Sequence, residues 1–279
     1  MAVVVVVGAR QTGKSTLVQY TTNTTRRYET LDDLDTLSTL TESPDSLLSI
    51  DQDLTLDEVQ RLPELLVSIK RALDQERRRG RFLLTGSANL LVMRDGSESL
   101  AGRASYRTLW PMSRRERVGV GTCGIWDDFI SNEENSWIDV IEDQQQDQVT
   151  FSNEKDWLEL VRSGGYPIRA LELNDEIERR IWFDGYVRTY LERDVLQLAN
   201  VSNLIEFRRL TTLVCHRIGQ IVNQSELGRT SAIPQSTVNR YLNLLEASYQ
   251  LVRLRAYTEN RVKRLIKSPK IYWSNPGLA

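Results

Sequence analysis

The sequence predicts an α/β fold, with a parallel β-sheet in the first half of the chain and a mainly helical second half. Three observations support this prediction. The run Val3–Val7 is short, apolar and β-branched, which is typical of a strand buried on both faces. Further strand-like segments alternate with helical stretches as far as residue 109. Beyond residue 166, apolar residues recur mainly at helical spacing.

The elements of the first half can be placed in order. A loop, Gly8–Gly13, follows the first strand, and a helix begins near Lys14. An amphipathic helix opens at Pro63 and continues to about Arg79. The remaining strands are predicted at Arg27–Leu31, Asp53–Leu56, Arg81–Leu84 and Ser105–Leu109. We therefore divide the chain into a core at 1–116, an acidic insertion or linker with a Gly164-Gly165 hinge at 117–165, and a helical domain at 166–279.

Composition excludes several classes of protein. Of 279 residues, 40% are hydrophobic and the net charge is −2, so most of the chain is not disordered. The apolar run from Ala2 to Val7 is too short to span a bilayer and no basic segment precedes it, which predicts a cytoplasmic protein without a signal peptide. His216 is the only histidine, which excludes histidine-based triads. Cys123 and Cys215 lie 92 positions apart, which argues against a zinc site or a disulfide framework.

A phosphate-binding loop is predicted at residues 8–16. The segment from Gly8 to Ser15 fits G-x-x-x-x-G-K-[ST] at every fixed position, between a buried strand and a helix start. The glycines let backbone N–H groups converge on phosphate oxygens, Lys14 bridges the β- and γ-phosphates, and the Ser15 hydroxyl binds Mg²⁺. A glycine turn without a ligand is the alternative. The predicted nucleotide-binding residues of the loop are Gly8, Ala9, Arg10, Gln11, Thr12, Gly13, Lys14, Ser15 and Thr16.

An acidic pair at the end of the third strand predicts hydrolysis. Asp57 can hold the water shell of Mg²⁺, and Glu58 can orient and deprotonate an attacking water. The alternative is a solvated turn. Thr85 and Ser87 end the fourth strand, where they are either sensors of the γ-phosphate or caps of the strand. Arg103 is a candidate arginine finger for the nucleotide of a neighbouring subunit, which predicts a homo-oligomer, or else an ordinary surface arginine.

The last third of the chain is basic. From residue 176 onward there are 16 Lys and Arg against 9 Asp and Glu, whereas residues 1–175 hold 20 against 29. This asymmetry favours contact with a polyanion, although an uneven solvated surface is the alternative. Helices are predicted at 175–198, at 204–218, around 224–229 and from Pro234, and a strand with alternating Val252, Leu254 and Ala256 follows.

Three helices and a basic hairpin predict a winged helix-turn-helix. Apolar residues of its third helix recur at Val238, Tyr241, Leu242 and Leu245, and the opposite face is polar. Such a helix enters a major groove while the wing touches phosphates, but winged helices also dock proteins, so double-stranded DNA and a protein partner both stay open. The predicted DNA contacts are Gln235, Ser236, Asn239, Arg240 and Asn243 on the helix, and Arg261, Lys263 and Arg264 in the wing.

With these features taken together, the sequence resembles a family of bacterial and archaeal AAA-like P-loop ATPases. In that family a domain of unknown function follows the ATPase core. The resemblance covers nearly the whole chain and rests on the segments Gly8–Thr16, Leu56–Pro63, Leu84–Ser87, Leu100–Arg103, Gly164–Pro167, Tyr186–Asp194 and Lys267–Trp273. It implies ATP at residues 8–16, Mg²⁺ at Ser15 and Asp57, and hydrolysis assisted by Glu58. It also implies an additional-strand sheet of order 5-1-4-3-2. Family members carry a segment before the first strand and a further C-terminal domain, so we expect this chain to be truncated at both ends.

The sequence thus predicts an ATP-hydrolysing switch in which Glu58, Lys14 and Arg103 act in catalysis and a winged-helix half binds DNA or protein. The alternative is a nucleotide-binding, DNA-binding regulator with little or no turnover. A P-loop kinase ranks last, because it predicts a small acceptor molecule and no winged helix.

Overall fold

The computed structural model describes residues 1–21, 26–50, 52–86, 100–119, 154–172, 175–191, 203–259 and 267–279. In the first half its elements are β1 (Val3–Val7), α1 (Lys14–Thr21), β2 (Arg27–Thr30), α2 (Leu34–Glu42), α3 (Asp45–Leu48), β3 (Leu54–Asp57), α4 (Leu65–Gln75), β4 (Phe82–Gly86) and β5 (Ala104–Thr108). Every strand predicted for this half is present, with boundaries shifted by one or two residues.

The five strands form one parallel sheet in the order β5-β1-β4-β3-β2. The predicted order 5-1-4-3-2 is confirmed. In the register of the central strands, Val3 lies opposite both Phe82 and Ala104, and β4 separates β1 from β3. Because the strands run in the same direction, the residues that follow β1, β3 and β4 meet at one edge, which we call the carboxyl edge.

Helix α4 packs its apolar face on the core and ends earlier than predicted. Leu66, Ile69 and Leu73 are buried in the same cluster as the β1 valines. The helix stops at Gln75 instead of near Arg79. The buried Arg81 guanidinium stabilises this end of the helix: it donates to the carbonyl of Glu76 and, beside the Glu76 N–H, to the carbonyl of Ala72.

The second half contains short helices, then a three-helix unit with a hairpin. Its elements are α5 (Arg114–Arg117), α6 (Glu154–Ser163), α7 (Pro167–Leu171), α8 (Glu176–Tyr186), α9 (Leu204–Cys215), α10 (Gln224–Ser231), α11 (Gln235–Ala247), β6 (Leu251–Leu254) and β7 (Lys270–Trp273). Strands β6 and β7 pair antiparallel, with Leu251 opposite Trp273. Asn203 and Asn223 accept hydrogen bonds from the first turns of α9 and α10, which fixes where those helices begin.

The predicted apolar faces of the last helices are largely confirmed. Val238, Tyr241, Leu242 and Leu245 of α11 are all buried, and they share one cluster with α9 and the hairpin. The apolar face predicted for α9 extended to Ile218, but the helix ends at Cys215 and Ile218 is exposed.

The long helix predicted for residues 175–198 is helical throughout its described part, residues 176–191. Helix α8 ends at Tyr186 and continues as a π turn, Val187–Leu191, while residues 192–198 lie outside the described residues. Ile177 and Ile181 follow helical spacing, yet they are 68% and 66% exposed. Periodicity thus predicted the helix but not which of its faces the rest of the chain covers.

Gly164 and Gly165 lie in a tightly packed junction. The carbonyl of Gly165 accepts a 2.6 Å hydrogen bond from the backbone N–H of Met112, and a Cβ on Gly165 would overlap the Met112 carbonyl oxygen. A Cβ on Gly164 would overlap the side chain of Asn275. Close packing therefore accounts for both glycines, against the Met112 backbone at Gly165 and against a side chain at Gly164. Within the insertion or linker predicted at 117–165, residues 120–153 lie outside the described residues and α6 occupies most of the rest. None of the described helices is long and apolar enough to cross a membrane.

Candidate functional site

The loop after β1 is wrapped around the ammonium group of Lys14. Lys14 Nζ donates to the carbonyls of Gly8 and Ala9, at 3.2 and 2.7 Å, and the side chain is buried. The Thr12 hydroxyl also donates to the Ala9 carbonyl, at 3.0 Å. Gly8 has φ +154°, and a Cβ there would overlap the carbonyl oxygen of Leu109. The loop conformation therefore requires glycine at its first position.

Asp57 is the buried carboxylate of the carboxyl edge, at the end of β3. Its Oδ2 accepts a 2.7 Å hydrogen bond from the Tyr28 hydroxyl. Its Oδ1 accepts from the Thr85 hydroxyl and, at 3.2 Å, from the Glu58 N–H. Burial, followed by the hydrogen bond to Asp57, raises the pKa of Tyr28 to about 12, so Tyr28 is a neutral donor at physiological pH. Two hydroxyls from neighbouring strands thus hold the carboxylate.

Glu58 lies immediately beyond β3 with an unusual backbone. Its φ and ψ of 59° and 40° are left-handed, a region that residues other than glycine seldom adopt. Its N–H donates to the Thr85 hydroxyl at 3.3 Å, and its Oε2 accepts from the side-chain amide of Gln60. The turn directs Glu58 into the cleft beside the loop, whereas Asp57 stays behind in the sheet.

The loop and Glu58 border one cleft with a volume of about 320 Å³. The residues lining it are Arg10, Gln11, Gly13, Lys14, Ser15, Thr16, Glu58, Pro167 and Ile168. Its donors suit a phosphate ester: an ammonium group, hydroxyls and the N-terminus of α1. The hydroxyl of Ser15 is a hard oxygen ligand of the kind that Mg²⁺ prefers, and the carboxylate of Asp57 is suited to hold the water shell of such a metal. Among the described residues no group of three or more His, Cys, Asp or Glu side chains is placed to hold a metal.

The second half of the chain completes this cleft, which the sequence did not predict. Pro167 and Ile168, at the start of α7, line it directly. Ala9 is buried against Tyr166 and Tyr186, and the Tyr186 hydroxyl donates to the carbonyl of Arg10 at 3.3 Å. Tyr166, Pro167 and Tyr186 belong to segments that carried the family resemblance, but local patterns assigned them no role in the site.

The other predicted site residues do not line the cleft in the described part of the chain. Thr85 is fully buried with its hydroxyl on Asp57, so direct contact with a γ-phosphate stays a prediction. Ser87 lies outside the described residues. Arg103 lies just before β5, beside the start of β1, and is therefore at the opposite edge of the sheet from the loop. It is paired with Asp74 at 2.7 Å, so it does not contact the cleft of its own chain.

The predicted DNA-binding residues of α11 form one exposed face: Gln235, Ser236, Asn239, Arg240 and Asn243. Several already have partners. The side-chain oxygens of Gln235 and Asn239 accept hydrogen bonds from Ser225 and Gln224, at 3.1 and 3.2 Å, and that of Asn243 accepts from Arg253. The wing residues Arg261, Lys263 and Arg264 lie outside the described residues.

Comparison with family models agrees with this architecture. Residues 1–118 match the model of an AAA domain, and residues 154–279 match a domain of unknown function, DUF8612. The chain therefore has an AAA domain at its N-terminus, followed by a domain of unknown function, as the resemblance predicted.

The chain is also similar to individual proteins, and the two relatives found are uncharacterized. The uncharacterized proteins Mb2031c of Mycobacterium bovis and Rv2008c of Mycobacterium tuberculosis are each 29% identical over 279 residues, or 99% of this chain and 55% of the relative. The chain thus spans about half the length of these relatives. Two structures of RuvB variants from Thermotoga maritima align at 18% identity over 96% of this chain and 88% of theirs, with a TM-score of 0.37. This level of similarity carries no information on function.

Proposed function

We propose that the chain binds ATP with Mg²⁺ in the cleft at the carboxyl edge and hydrolyses it. The observation that carries this proposal is the convergence of Lys14, Ser15 and Glu58 on one cleft, with Asp57 held directly behind. These groups come from segments about 40 residues apart in the chain. A glycine turn without a ligand gives no reason for a buried lysine and two carboxylates to meet there.

Each residue has a defined task in this proposal. Lys14 binds the β- and γ-phosphates, and Ser15 and Asp57 hold Mg²⁺, which neutralises phosphate charge when bound. Glu58 orients a water molecule and accepts its proton. The side-chain amide of Gln60 donates to Glu58 and helps to orient its carboxylate beside the cleft.

The helical half acts as the output module of the switch. Its order of three helices and an antiparallel hairpin supports a winged-helix assignment, and the exposed polar face of α11 supports DNA or a protein as its partner. Nucleotide binding is transmitted to this half through its contacts with the phosphate loop. The hydrogen bond from Tyr186 to the loop carbonyl of Arg10 gives such coupling a physical route.

Steady-state ATP hydrolysis by wild type and Glu58→Gln, with and without duplex DNA, tests the catalytic part. We expect Glu58→Gln to lower turnover by about 100-fold or more while ATP still binds, because a general base contributes a factor of that order. Glu64→Gln is the matched control, since Glu64 is an exposed glutamate six positions along the chain. Equal turnover in wild type and Glu58→Gln would contradict the assigned role of Glu58.

The rival function, a nucleotide-binding regulator, predicts a different result. Tight ATP binding without measurable turnover in wild type, with DNA present or absent, favours the regulator. Transfer of phosphate to a small acceptor would instead indicate a kinase. Both outcomes are read from the same assay once inorganic phosphate and nucleotide products are quantified separately.

Duplex DNA binding is tested by titrating salt with wild type, Arg240→Ala and Arg77→Ala. A phosphate contact at Arg240 predicts weaker binding and a salt slope reduced by about one, whereas the exposed Arg77 in the first half serves as a control. Measured with and without ATP, the same titration tests the coupling. Identical affinities in both states would contradict it, and no salt-dependent binding would favour a protein partner.

A further inference from the structure

The two oxygens of the Asp57 carboxylate are not equivalent. Oδ1 accepts hydrogen bonds from the Thr85 hydroxyl and from the Glu58 N–H, and Oδ2 accepts from the Tyr28 hydroxyl. A carboxylate oxygen has room for about two such contacts. Among the contacts of the described residues, Oδ1 is therefore saturated, and Oδ2 keeps one lone pair. The oxygen left for a metal-bound water is the one that Tyr28 contacts.

Tyr28 also connects the carboxylate to the phosphate-loop helix. It lies in β2, the edge strand, and its backbone is opposite Thr55 of β3, so its ring extends along the sheet towards Asp57. The side chains of Gln19 of α1 and of Thr30 also act on the Tyr28 hydroxyl, whose pKa they lower against the larger effects of burial and Asp57. Because α1 begins at Lys14, one hydroxyl links the helix that carries the phosphate ligands to the metal carboxylate.

We propose that Tyr28 is a positioning residue for magnesium: its hydroxyl fixes the Asp57 carboxylate so that the free lone pair of Oδ2 is available to the metal's water shell. This inference rests on the proposed function, since it concerns the same nucleotide site. Groups that hydrogen-bond to metal ligands tune metal affinity even though they do not touch the metal. Tyr28 acts on Asp57 and has no direct role in the chemical step.

The test follows fluorescent ATP analogue binding as Mg²⁺ is titrated, with excess EDTA as the metal-free reference. Tyr28→Phe removes the hydroxyl and keeps the ring. Tyr106→Phe is the matched control, because Tyr106 is a partly buried tyrosine on β5, the other edge strand. We expect Tyr28→Phe to reach half-maximal binding of the analogue at an Mg²⁺ concentration about 10-fold higher than wild type or Tyr106→Phe. In EDTA all three proteins bind the analogue equally, which a general folding defect would not permit.

Combining Tyr28→Phe with Asp57→Asn tests whether the tyrosine acts through the aspartate. If it does, the double variant has the Mg²⁺ requirement of Asp57→Asn alone, whereas additive penalties would overturn the proposal. An unchanged Mg²⁺ midpoint in Tyr28→Phe would also overturn it. If wild type binds no nucleotide or ignores Mg²⁺, the proposed function itself fails. The two failures are therefore distinguishable.

Discussion

Removing the Tyr186 hydroxyl tests the contact between the two halves of the chain. Tyr186 is buried, and its hydroxyl donates to the loop carbonyl of Arg10 at 3.3 Å. The same oxygen lies 2.9 Å from the Tyr166 hydroxyl and accepts from Gln250 Nε2 at 3.0 Å. Burial raises the pKa of Tyr166 well above its ordinary value, so Tyr166 stays a neutral donor. Gln250 directly precedes β6, which makes this network continuous from the phosphate loop to the hairpin.

The expected cost of Tyr186→Phe follows from the partners that it leaves behind. Tyr166 keeps Gln250 Oε1 at 3.2 Å, and Gln250 Nε2 keeps the Ser248 carbonyl at 3.4 Å. The Arg10 carbonyl loses its bond from the hydroxyl. The phenylalanine ring still stacks on Trp182, so little packing is lost. We therefore expect a loss of about 1 kcal/mol in the free energy of unfolding, the order of the net contribution of one hydrogen bond.

Urea unfolding of wild type, Tyr186→Phe and Tyr249→Phe measures this loss. Tyr249 is a half-buried tyrosine directly before Gln250, and its ring packs on Trp110. Tyr249→Phe therefore controls for the loss of a hydroxyl elsewhere in the same region. Because the Arg10 carbonyl belongs to the phosphate loop, ATP affinity also falls several-fold in Tyr186→Phe alone. A free-energy change below about 0.5 kcal/mol, or one matched by Tyr249→Phe, would refute the reasoning.

Three further outcomes are expected. Gly165→Ala lowers the free energy of unfolding by about 1–3 kcal/mol in urea titrations, because its Cβ overlaps the Met112 carbonyl, and an unchanged midpoint would contradict that close approach. Burial raises the pKa of Cys215 to about 11 from 9.0, so alkylation of its peptide, followed by mass spectrometry, stays slow at pH 8 and accelerates towards pH 11. Since the folded state favours the neutral thiol, this group stabilises the protein below pH 9.0 and that contribution is lost towards pH 11. Arg103→Ala lowers the free energy of unfolding by less than about 1 kcal/mol, because the ion pair with Asp74 is partly exposed. The nucleotide affinity of this variant equals that of wild type. A weaker nucleotide affinity would instead indicate that Arg103 contacts the cleft of its own chain.

Much of the fold could be predicted from local patterns. The β-branched run of β1 is apolar at every position, so its burial on both faces was readable from the residues alone. The spacing of apolar residues in α11 likewise identified its buried face correctly. In α8 the same reasoning was insufficient, because a helical pattern of isoleucines does not state whether another element packs on it.

The candidate site likewise has features that local sequence patterns specify and features that depend on the tertiary structure. The sequence by itself determined the phosphate loop and the acidic pair, because a sharp turn, a helix start and a strand end are encoded by adjacent residues. Only the tertiary structure decided that Tyr28 and Thr85 hold Asp57, that Pro167 borders the cleft and that Arg103 lies at the opposite edge. These contacts join residues that are distant in the chain. They depend on strand order, register and the packing of one half on the other, which the periodicity of a single segment does not specify.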